Sequence, residues 1–342
     1  MWQPLWRRVV YVTLASGVLM LLLPNAIVVS DVSHTMIGFE PFPATGRTKP
    51  AEDAGKIWLA EEADSYEWYS NGLRVENTYR VNNEPRFFQM LDRSAGMRPS
   101  EGWQSAPVGI VFHTTESPQA PFDPEQNATL QRLGKSLLTH IRDTRSYNFV
   151  IDRFGRVFRV VEETDTAHHA GISLWADGRW AFVNLNASFL AIAFEAQGSL
   201  LTSAQVHAGR LLTQLLRSKY KIRPEMCVTH AQVSVNPSNM RIGYHTDWAD
   251  GFPFAQMGLS NNYDLPLASL TDFGFAYDEA FVRAVGDKMR RGLTDSEKRM
   301  ETDARKNGRD LETYRGELQD RYRRIYASLK LTGALDEGVR LH

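Results

Sequence analysis

Residues 228–254 of this 342-residue chain read VTHAQVSVNPSNMRIGYHTDWADGFPF. Four side chains in this stretch could bind a metal ion: His230, His245, Asp247 and Asp250. Turn-forming residues separate them, and neither helical nor strand periodicity runs through the middle, so the stretch predicts a loop. A catalytic zinc ion takes imidazole and carboxylate ligands and keeps one position open for water. This loop could therefore supply part of such a site.

Three apolar runs elsewhere in the chain end in a polar side chain. Each has the length and composition of a buried strand, and they are residues 108–112 before His113, 189–194 before Glu195, and 226–229 before His230. In a sheet flanked by helices, the loops beyond the strand ends form the usual ligand crevice. We therefore expect His113, Glu195 and His230 to point into one cleft.

The same region predicts helices that pack on this sheet. Apolar residues between positions 130 and 141 recur on one face of a helix, and Thr202-x-x-Gln205 has the form of a capping box that opens a second helix. Residues 146–151 and 156–161 flank a glycine-containing turn and predict a β-hairpin. Strands that alternate with helices indicate an α/β fold.

The composition excludes several classes of protein. The chain has 39 Lys and Arg residues against 40 Asp and Glu residues, so no net field attracts it to nucleic acid. Cys227 is the single cysteine, which excludes an intramolecular disulfide and a cysteine-rich zinc site. Hydrophobic residues make up 43% of the chain, as in a folded protein with a sizeable core.

The N-terminal segment, residues 1–30, predicts membrane targeting. Arg7 and Arg8 precede an uncharged, mainly apolar run over residues 9–29, which is about as long as the ~20 residues of a spanning helix. No clear small-x-small cleavage site follows, so an uncleaved signal anchor is favoured over a cleaved signal peptide. Basic residues before the span are expected to leave the body of the protein outside the cytoplasm.

Two further regions flank the central one. Residues 31–106 predict a tether followed by a β-hairpin region, in which Asn71-Gly72 forms a turn between aromatic and β-branched stretches. Residues 278–342 are dense in charged side chains with spaced apolar ones and predict two or three polar helices. We expect these helices to be a solvated C-terminal extension, with an arm that binds a protein partner as the alternative.

The motifs and their order resemble those of the zinc-dependent N-acetylmuramoyl-L-alanine amidases. This family includes the amidase-type phage lysozyme, the cytoplasmic anhydro-muropeptide amidases and the animal peptidoglycan recognition proteins. The resemblance covers about residues 107–255 and rests on His113-Thr-Thr, Ser146-Tyr-Asn-Phe-Val-Ile-x-x-x-Gly-x-Val, His169-Ala-Gly, Ile192-Ala-Phe-Glu195 and His230 through Asp247. It implies an α/β fold with a central mixed β-sheet flanked by helices, in a domain over residues 107–277.

The resemblance also implies a set of metal ligands. His113, His230 and Asp247 take the places of the three zinc ligands of the family. The segment between His230 and Asp247 is longer than in the family, and the Pro-Gly pair that follows the third ligand is replaced here. These departures leave His245 and Asp250 open as alternative ligands.

Three side chains take catalytic places in the resemblance. Glu195 would accept a proton and hand it to the leaving amine, as a general base and acid does. His245 stands where the family often has a lysine near the scissile carbonyl, and Tyr147 matches a catalytic tyrosine of some members. His169 and Asn148 take the places of residues that bind substrate.

These assignments imply a zinc hydrolase that cleaves the amide bond between N-acetylmuramic acid and L-alanine in peptidoglycan or muropeptides. Its expected location is the periplasmic side of the bacterial inner membrane, or the periplasm if the N-terminal segment is cleaved. The alternative is a membrane-tethered protein that binds peptidoglycan without cleaving it, since some relatives of this fold do so. Such relatives typically lack a complete set of metal ligands, whereas this chain has one.

Overall fold

The computed structural model describes residues 56–198 and 200–331. The predicted membrane segment, most of the predicted tether and the last eleven residues, 332–342, lie outside the described residues. Of the helices within the described ranges, none is both long enough and apolar enough to cross a membrane.

The fold contains fourteen strands and eight α-helices within these ranges. The strands are β1 (Leu59–Ala63), β2 (Tyr66–Tyr69), β3 (Arg74–Glu76), β4 (Leu91–Asp92), β5 (Arg98–Pro99), β6 (Gly109–Thr114), β7 (Phe149–Ile151), β8 (Val157–Arg159), β9 (Leu174–Ala176), β10 (Trp180–Val183), β11 (Phe189–Phe194), β12 (Cys227–Thr229), β13 (Val235–Asn236) and β14 (Arg241–Ile242). The helices are α1 (Asn127–Thr144), α2 (Leu185–Ser188), α3 (Ser203–Tyr220), α4 (His230–Val233), α5 (Ala268–Thr271), α6 (Glu279–Ala284), α7 (Asp287–Lys306) and α8 (Leu311–Leu331).

Eight strands form one mixed sheet in the order β1-β2-β3-β8-β7-β11-β6-β12. Strands β7, β11, β6 and β12 are neighbours and run parallel to one another, and every residue of the four is buried. Parallel strands covered on both faces need apolar side chains on both, which explains the unbroken apolar runs of the sequence. The parallel arrangement brings the ends of β6, β11 and β12 to one edge, as the sequence predicts.

The hairpin with the Asn71-Gly72 turn is confirmed, and it belongs to the main sheet. Gly72 has a φ of 86°, which glycine adopts without strain, and β2 and β3 pair antiparallel on either side of it. Strand β3 then pairs in parallel with β8. The sequence separates the hairpin region from the domain that begins at residue 107, whereas the structure joins them in one sheet.

Both predicted helices beside the sheet are confirmed, as α1 and α3. The capping box at the start of α3 is complete. The backbone N–H of Gln205 donates to Thr202 Oγ1, and the backbone N–H of Thr202 donates to Gln205 Oε1, each at 3.1 Å. The predicted second hairpin is confirmed as β7 and β8, which pair antiparallel.

The C-terminal charged region forms three helices, α6, α7 and α8, that pack against the rest of the protein. Several buried apolar side chains of these helices, together with Val285 between α6 and α7, belong to the same hydrophobic core as the central sheet: Phe281, Met289, Leu293, Tyr322 and Leu329. The Ser296 hydroxyl lies inside this contact and accepts a hydrogen bond from the Leu267 N–H at 2.8 Å. The predicted solvated appendage is therefore, over the described residues, an integral part of the fold.

Candidate active site

Two imidazoles and one carboxylate meet at the edge of the sheet. His113 lies on β6, His230 is the first residue of α4 directly after β12, and Asp247 lies on the loop that follows β14. The Nδ1 atom of His113 is 3.3 Å from Asp247 Oδ2, and that of His230 is 2.8 Å from Asp247 Oδ1. One donor atom from each of the three lies within 4.8 Å of the others, so the group could hold a metal ion.

Local hydrogen bonds fix the positions of the second and third ligands. The Thr229 N–H donates to Gln232 Oε1 at 2.9 Å, which holds the start of α4 and thus the backbone of His230. The Ala231 N–H donates to the Asp247 carbonyl at 3.2 Å. The loop that carries Asp247 is therefore tied directly to the helix that carries His230.

Trp248 follows Asp247, at the position where the resemblance to the amidases implies a proline. Its backbone has a φ of 58°, in the left-handed region, and its indole is buried against Phe252 with ring centroids 5.3 Å apart. The Tyr263 hydroxyl donates to the Trp248 carbonyl at 2.6 Å. A buried aromatic anchor and a tyrosine thus hold the turn that a Pro-Gly pair would otherwise form.

The two alternative ligands lie outside the group of three. The ring of His245 stacks on that of His230, with centroids 4.5 Å apart and planes 21° apart. The Asp250 carboxylate accepts a hydrogen bond from the Gly251 N–H at 2.8 Å and lies against Gly286, just before α7. Asp247 is therefore the carboxylate that the fold places between the two imidazoles.

The charge states of the group suit metal binding. Burial and the neighbouring His230 lower the pKa of His113 to about 4, against the opposing effect of Asp247. Burial alone would raise the pKa of Asp247, but the two imidazoles hold it well below its ordinary value. A neutral imidazole and an ionised carboxylate are the forms that coordinate a metal. Two imidazole nitrogens and one carboxylate oxygen also match the protein ligands of a catalytic zinc site.

Two grooves meet at Tyr244 and His245, which line both of them. One is lined by Glu116, Gly198, Thr246, Asp247, Trp248, Ala249, Asp250 and Ala284, and the other by Ala170, Gly171, Ile172, Ser234, Val235, Asn236, Pro237 and Ser238. The pKa of His245 is lowered to about 4 by burial and by His230, so the ring is neutral near pH 7. Its backbone N–H donates to Ser234 Oγ at 3.1 Å.

Glu195 directly follows Phe194, the last residue of β11. Ala193 lies beside His113 in the parallel register, and Glu195 comes two residues later, on the face of the sheet that carries His113. The carboxylate accepts a hydrogen bond from the Arg153 N–H at 3.2 Å. Burial raises the pKa of Glu195 above its ordinary value, which favours proton exchange near neutral pH.

Tyr147 lies beside the first ligand. Its ring centroid is 5.1 Å from that of His113, and its backbone has a φ of 47°. Left-handed backbone at a non-glycine residue costs of order 1 kcal/mol or more and is common at functional sites. Burial, Asp247 and Glu116 all raise the pKa of the phenol, so it keeps its proton.

The two expected substrate-binding residues lie deeper than the resemblance implies. His169 is buried, and its Nδ1 atom is 3.1 Å from His113 Nε2. Asn148 has no exposed surface, because its amide donates to the carbonyls of Val161 and Glu162 and accepts from the Ala191 N–H. The structure therefore corrects the role of Asn148, which joins strands and offers no group to a substrate.

Glu116 and Ala284 are among the residues of the cleft that are absent from the set predicted by the sequence. Glu116 lines the groove beside Asp247, three residues after His113, and its carboxylate accepts a hydrogen bond from the Gly198 N–H at 3.4 Å. Its closeness to His113 along the chain was an available signal. Ala284 of α6 lines the same groove, and no signal in the sequence links that distant alanine to the site.

Comparisons with known proteins agree with this geometry. A profile of the family described as N-acetylmuramoyl-L-alanine amidase matches residues 103–247, a range that contains all three side chains of the possible metal site. No curated protein matches the chain.

Several solved structures are similar to this chain. One is the E. coli N-acetylmuramyl-L-alanine amidase AmiD in complex with the substrate anhydro-N-acetylmuramic acid-L-Ala-D-gamma-Glu-L-Lys, with 22% identity, 60% of this chain and 82% of that chain covered, and a TM-score of 0.37. Another is AmpDh3 from Pseudomonas aeruginosa in complex with anhydromuramic pentapeptide, with 20% identity, coverage of 47% and 62%, and a TM-score of 0.33. The amidase LysC from Clostridium intestinale has 21% identity, coverage of 44% and 82%, and a TM-score of 0.29.

The family match and the positions of the motifs along the chain lead to the same assignment. Motifs that the family shares occur in order from His113 to Asp247, and the fold brings their imidazole and carboxylate groups into one site. Residues 103–247 of this chain match the profile of the family described as N-acetylmuramoyl-L-alanine amidase.

Proposed function

We propose that this chain is a zinc-dependent amidase that cleaves the bond between the lactyl group of N-acetylmuramic acid and the L-alanine of the stem peptide. The observation that carries the proposal is the group of His113, His230 and Asp247, whose donor atoms converge next to a groove that Asp247 lines. Peptidoglycan and muropeptides are the substrate class that the family match supports.

The three ligands would hold the zinc ion through His113 Nδ1, His230 Nδ1 and an Asp247 carboxylate oxygen. A zinc ion held there supplies Lewis-acid chemistry, which makes water nucleophilic near neutral pH. The site already favours the neutral imidazole of His113 and the ionised carboxylate of Asp247, which are the forms that coordinate a metal.

Glu195 takes the proton of the attacking water and passes it to the nitrogen of the leaving amine. Two features support this role, namely its place on the His113 face of the sheet and the pKa that burial raises. A carboxylate with a raised pKa exchanges protons more readily near pH 7 than an ordinary glutamate. The hydrogen bond from the Arg153 N–H keeps the carboxylate from turning away.

His245 donates an imidazole N–H to the carbonyl oxygen as negative charge develops on it. Its neutral ring, held by the stack on His230 and the bond from its backbone to Ser234, is preorganised for one hydrogen bond. The protonated phenol of Tyr147 is a second donor beside His113.

His245→Ala tests this division of roles. Removal of one oxyanion donor is expected to lower kcat by roughly 10²-fold while zinc stays bound, because His245 lies outside the ligand group. Zinc content by mass spectrometry and kcat on a soluble muropeptide are the measurements. Loss of zinc from the variant would instead make His245 a ligand.

We also propose, from the sequence of residues 1–30, that the protein is anchored on the periplasmic side of a bacterial inner membrane. Cell fractionation and N-terminal sequencing of the mature chain test this location. Recovery from the membrane with Met1 retained is expected. A soluble periplasmic chain that starts near residue 30 would show that the segment is a cleaved signal.

Digestion of purified peptidoglycan by the full chain tests the proposed activity. Mass spectrometry is expected to find free stem peptides that begin with L-alanine, to lose them when a chelator is added, and to find them again after zinc is restored. Sedimentation of the chain with peptidoglycan without peptide release would indicate a binding protein instead.

A further inference from the structure

His169 makes a direct contact with a metal ligand from the side away from the metal. Its Nδ1 atom lies 3.1 Å from His113 Nε2, and the two rings meet edge to face with planes 84° apart. The opposite nitrogen of His113, Nδ1, faces Asp247. One ring nitrogen of His113 therefore points to the metal position and the other points to His169.

This arrangement bears on the tautomer of His113. An imidazole that gives its Nδ1 lone pair to a metal must carry its proton on Nε2, and that proton needs an acceptor when it is buried. His113 is buried, and the lone pair of His169 Nδ1 lies at hydrogen-bond distance. His169 Nδ1 is thus placed to accept this hydrogen bond.

The backbone of His169 is itself fixed. Asn186, which is buried on α2, accepts hydrogen bonds through its side-chain oxygen from the His169 N–H at 3.0 Å and from the Ala170 N–H at 2.7 Å. Behind this loop, the buried guanidinium of Arg86 donates to the carbonyls of Phe189 and Ala187.

Neither ring nitrogen of His169 is available to a substrate. Nδ1 is engaged with His113, and Nε2 is buried. The neighbouring Ala170 and Gly171 line a groove of the cleft, whereas His169 does not belong to that lining.

We propose that His169 is a positioning residue, which holds His113 in the metal-binding tautomer and orientation. The inference rests on the proposed function, in that the group of three must bind zinc. This positioning role takes the place of the substrate-binding role that the resemblance implies for His169.

The test is the zinc dissociation constant of the full chain, measured by competition with a chromophoric chelator. His169→Phe keeps a flat ring but has no acceptor, and it is expected to weaken zinc binding by about 10- to 100-fold, the usual effect of losing such a partner. His169→Gln offers an amide oxygen as acceptor and is expected to stay within a few-fold of the wild-type constant. His168→Phe, at the adjacent position, is the matched control and should leave the constant unchanged.

A second readout covers a variant that folds poorly. In zinc-loaded wild-type protein, nitrogen NMR shifts of His113 should show a proton on Nε2 and none on Nδ1. Unfolding of the metal-free variants by denaturant separates a loss of fold from a loss of affinity.

The outcomes distinguish this inference from the proposed function. Wild-type zinc affinity in His169→Phe with a raised KM for muropeptide would overturn the positioning role and return His169 to the substrate. A His113 ring protonated on Nδ1 in the loaded protein would also overturn it. A wild-type chain that binds no zinc would overturn the proposed function together with this inference.

Discussion

Two polar clusters among the described residues differ in how their charges are balanced. The site cluster consists of His113, His169, His230 and Asp247, with three bases around one carboxylate. The structural cluster has two cations and two carboxylates: Glu67 on β2, Arg159 on β8, Glu163 shortly after β8, and Lys219 on α3.

In the structural cluster, every member has a partner of opposite charge. Arg159, which is 3% exposed, donates hydrogen bonds to both carboxylate oxygens of Glu67 at 2.6 and 2.9 Å and forms an ion pair with Glu163 at 3.0 Å. Lys219 pairs with Glu163 at 3.2 Å. Burial would raise the pKa of Glu67, but hydrogen bonds from Arg159 and Tyr69 lower it to about 2. This cluster therefore favours its charged forms.

In the site cluster, the pKa values of two histidines shift so that their neutral forms are favoured. Burial lowers the pKa of His113 to about 4 and that of His169 well below its ordinary value. Asp247, by contrast, is held in its charged form. A cluster in which burial favours the neutral rings of His113 and His169 beside an ionised carboxylate suits a cation from outside, whereas a self-neutralised cluster contributes to folding.

Loss of the shared carboxylate is expected to have the largest effect. Asp247→Asn removes the charged ligand between the two imidazoles, so hydrolysis should fall by roughly 10³-fold or more together with zinc binding. Peptide release from peptidoglycan and zinc content are the measurements. Asp250→Asn, three residues away and outside the ligand group, is the control that should keep both. Full activity in Asp247→Asn would remove Asp247 from the site.

Loss of the arginine of the structural cluster should affect stability instead. Arg159→Met leaves Glu67 and Glu163 without their main partner, and unfolding in denaturant should show a loss of about 3–5 kcal/mol. Arg74→Met breaks an exposed pair with Glu76 and should cost less than about 1 kcal/mol. Zinc affinity should stay unchanged in both variants. Weaker zinc binding in Arg159→Met, with the fold intact, would contradict the separate roles of the two clusters.

Glu195→Gln separates proton transfer from metal binding. The amide cannot exchange the proton, so kcat should fall by about 10²- to 10⁴-fold while zinc affinity stays at the wild-type value. Steady-state kinetics on a muropeptide and chelator competition are the measurements. Glu62→Gln on the exposed strand β1 is the control. Unchanged turnover in Glu195→Gln would take Glu195 out of the mechanism and make Glu116, the other glutamate of the cleft, the next candidate.

The stability of the metal-free protein should fall in two pH ranges, one for each cluster. His113 titrates near 4 in the fold against 6.5 ordinarily, so its neutral ring contributes stability fully above pH 6.5 and loses it as the pH falls to about 4. Glu67 titrates near 2 against 4.5, so its contribution is full above pH 4.5 and is lost towards pH 2.

Unfolding free energies from pH 7 to 2.5 should therefore fall in two ranges, each by roughly 1–3 kcal/mol. In Arg159→Met the lower range should flatten, because Glu67 loses the partner that depresses its pKa. Stability that is constant between pH 6.5 and 4 in the wild type would contradict the neutral site cluster.

The sequence predicts the site cluster well, because chemistry and topology agree there. His113 and His230 follow apolar runs that can only be buried strands, and parallel strands bring such ends together. The choice of Asp247 over His245 and Asp250 needed the structure, because three polar residues in one loop give no periodicity. Trp248 in left-handed backbone shows why the missing Pro-Gly pair did not move the ligand.

The structural cluster could not be predicted from the sequence. Arg159 and Glu67 are 92 positions apart, and a charge on a strand looks the same whether it is solvated or buried in a pair. The C-terminal helices were expected to be solvated for the same reason. Their sequence has many charged residues and few apolar ones, such as Phe281, Met289 and Leu293. Asn148 was assigned to substrate because a motif records that an amide is present but does not show what the amide bonds to.

The zinc K-edge X-ray absorption spectrum of the metal-loaded full chain tests the central claim most directly. We expect one zinc ion per chain with two imidazole ligands, from His113 and His230, and oxygen as the remaining ligands. The signal of bound zinc should disappear in Asp247→Asn and persist in Asp250→Asn and Arg159→Met. A chain that holds no zinc, or a spectrum with three imidazoles, would contradict the account.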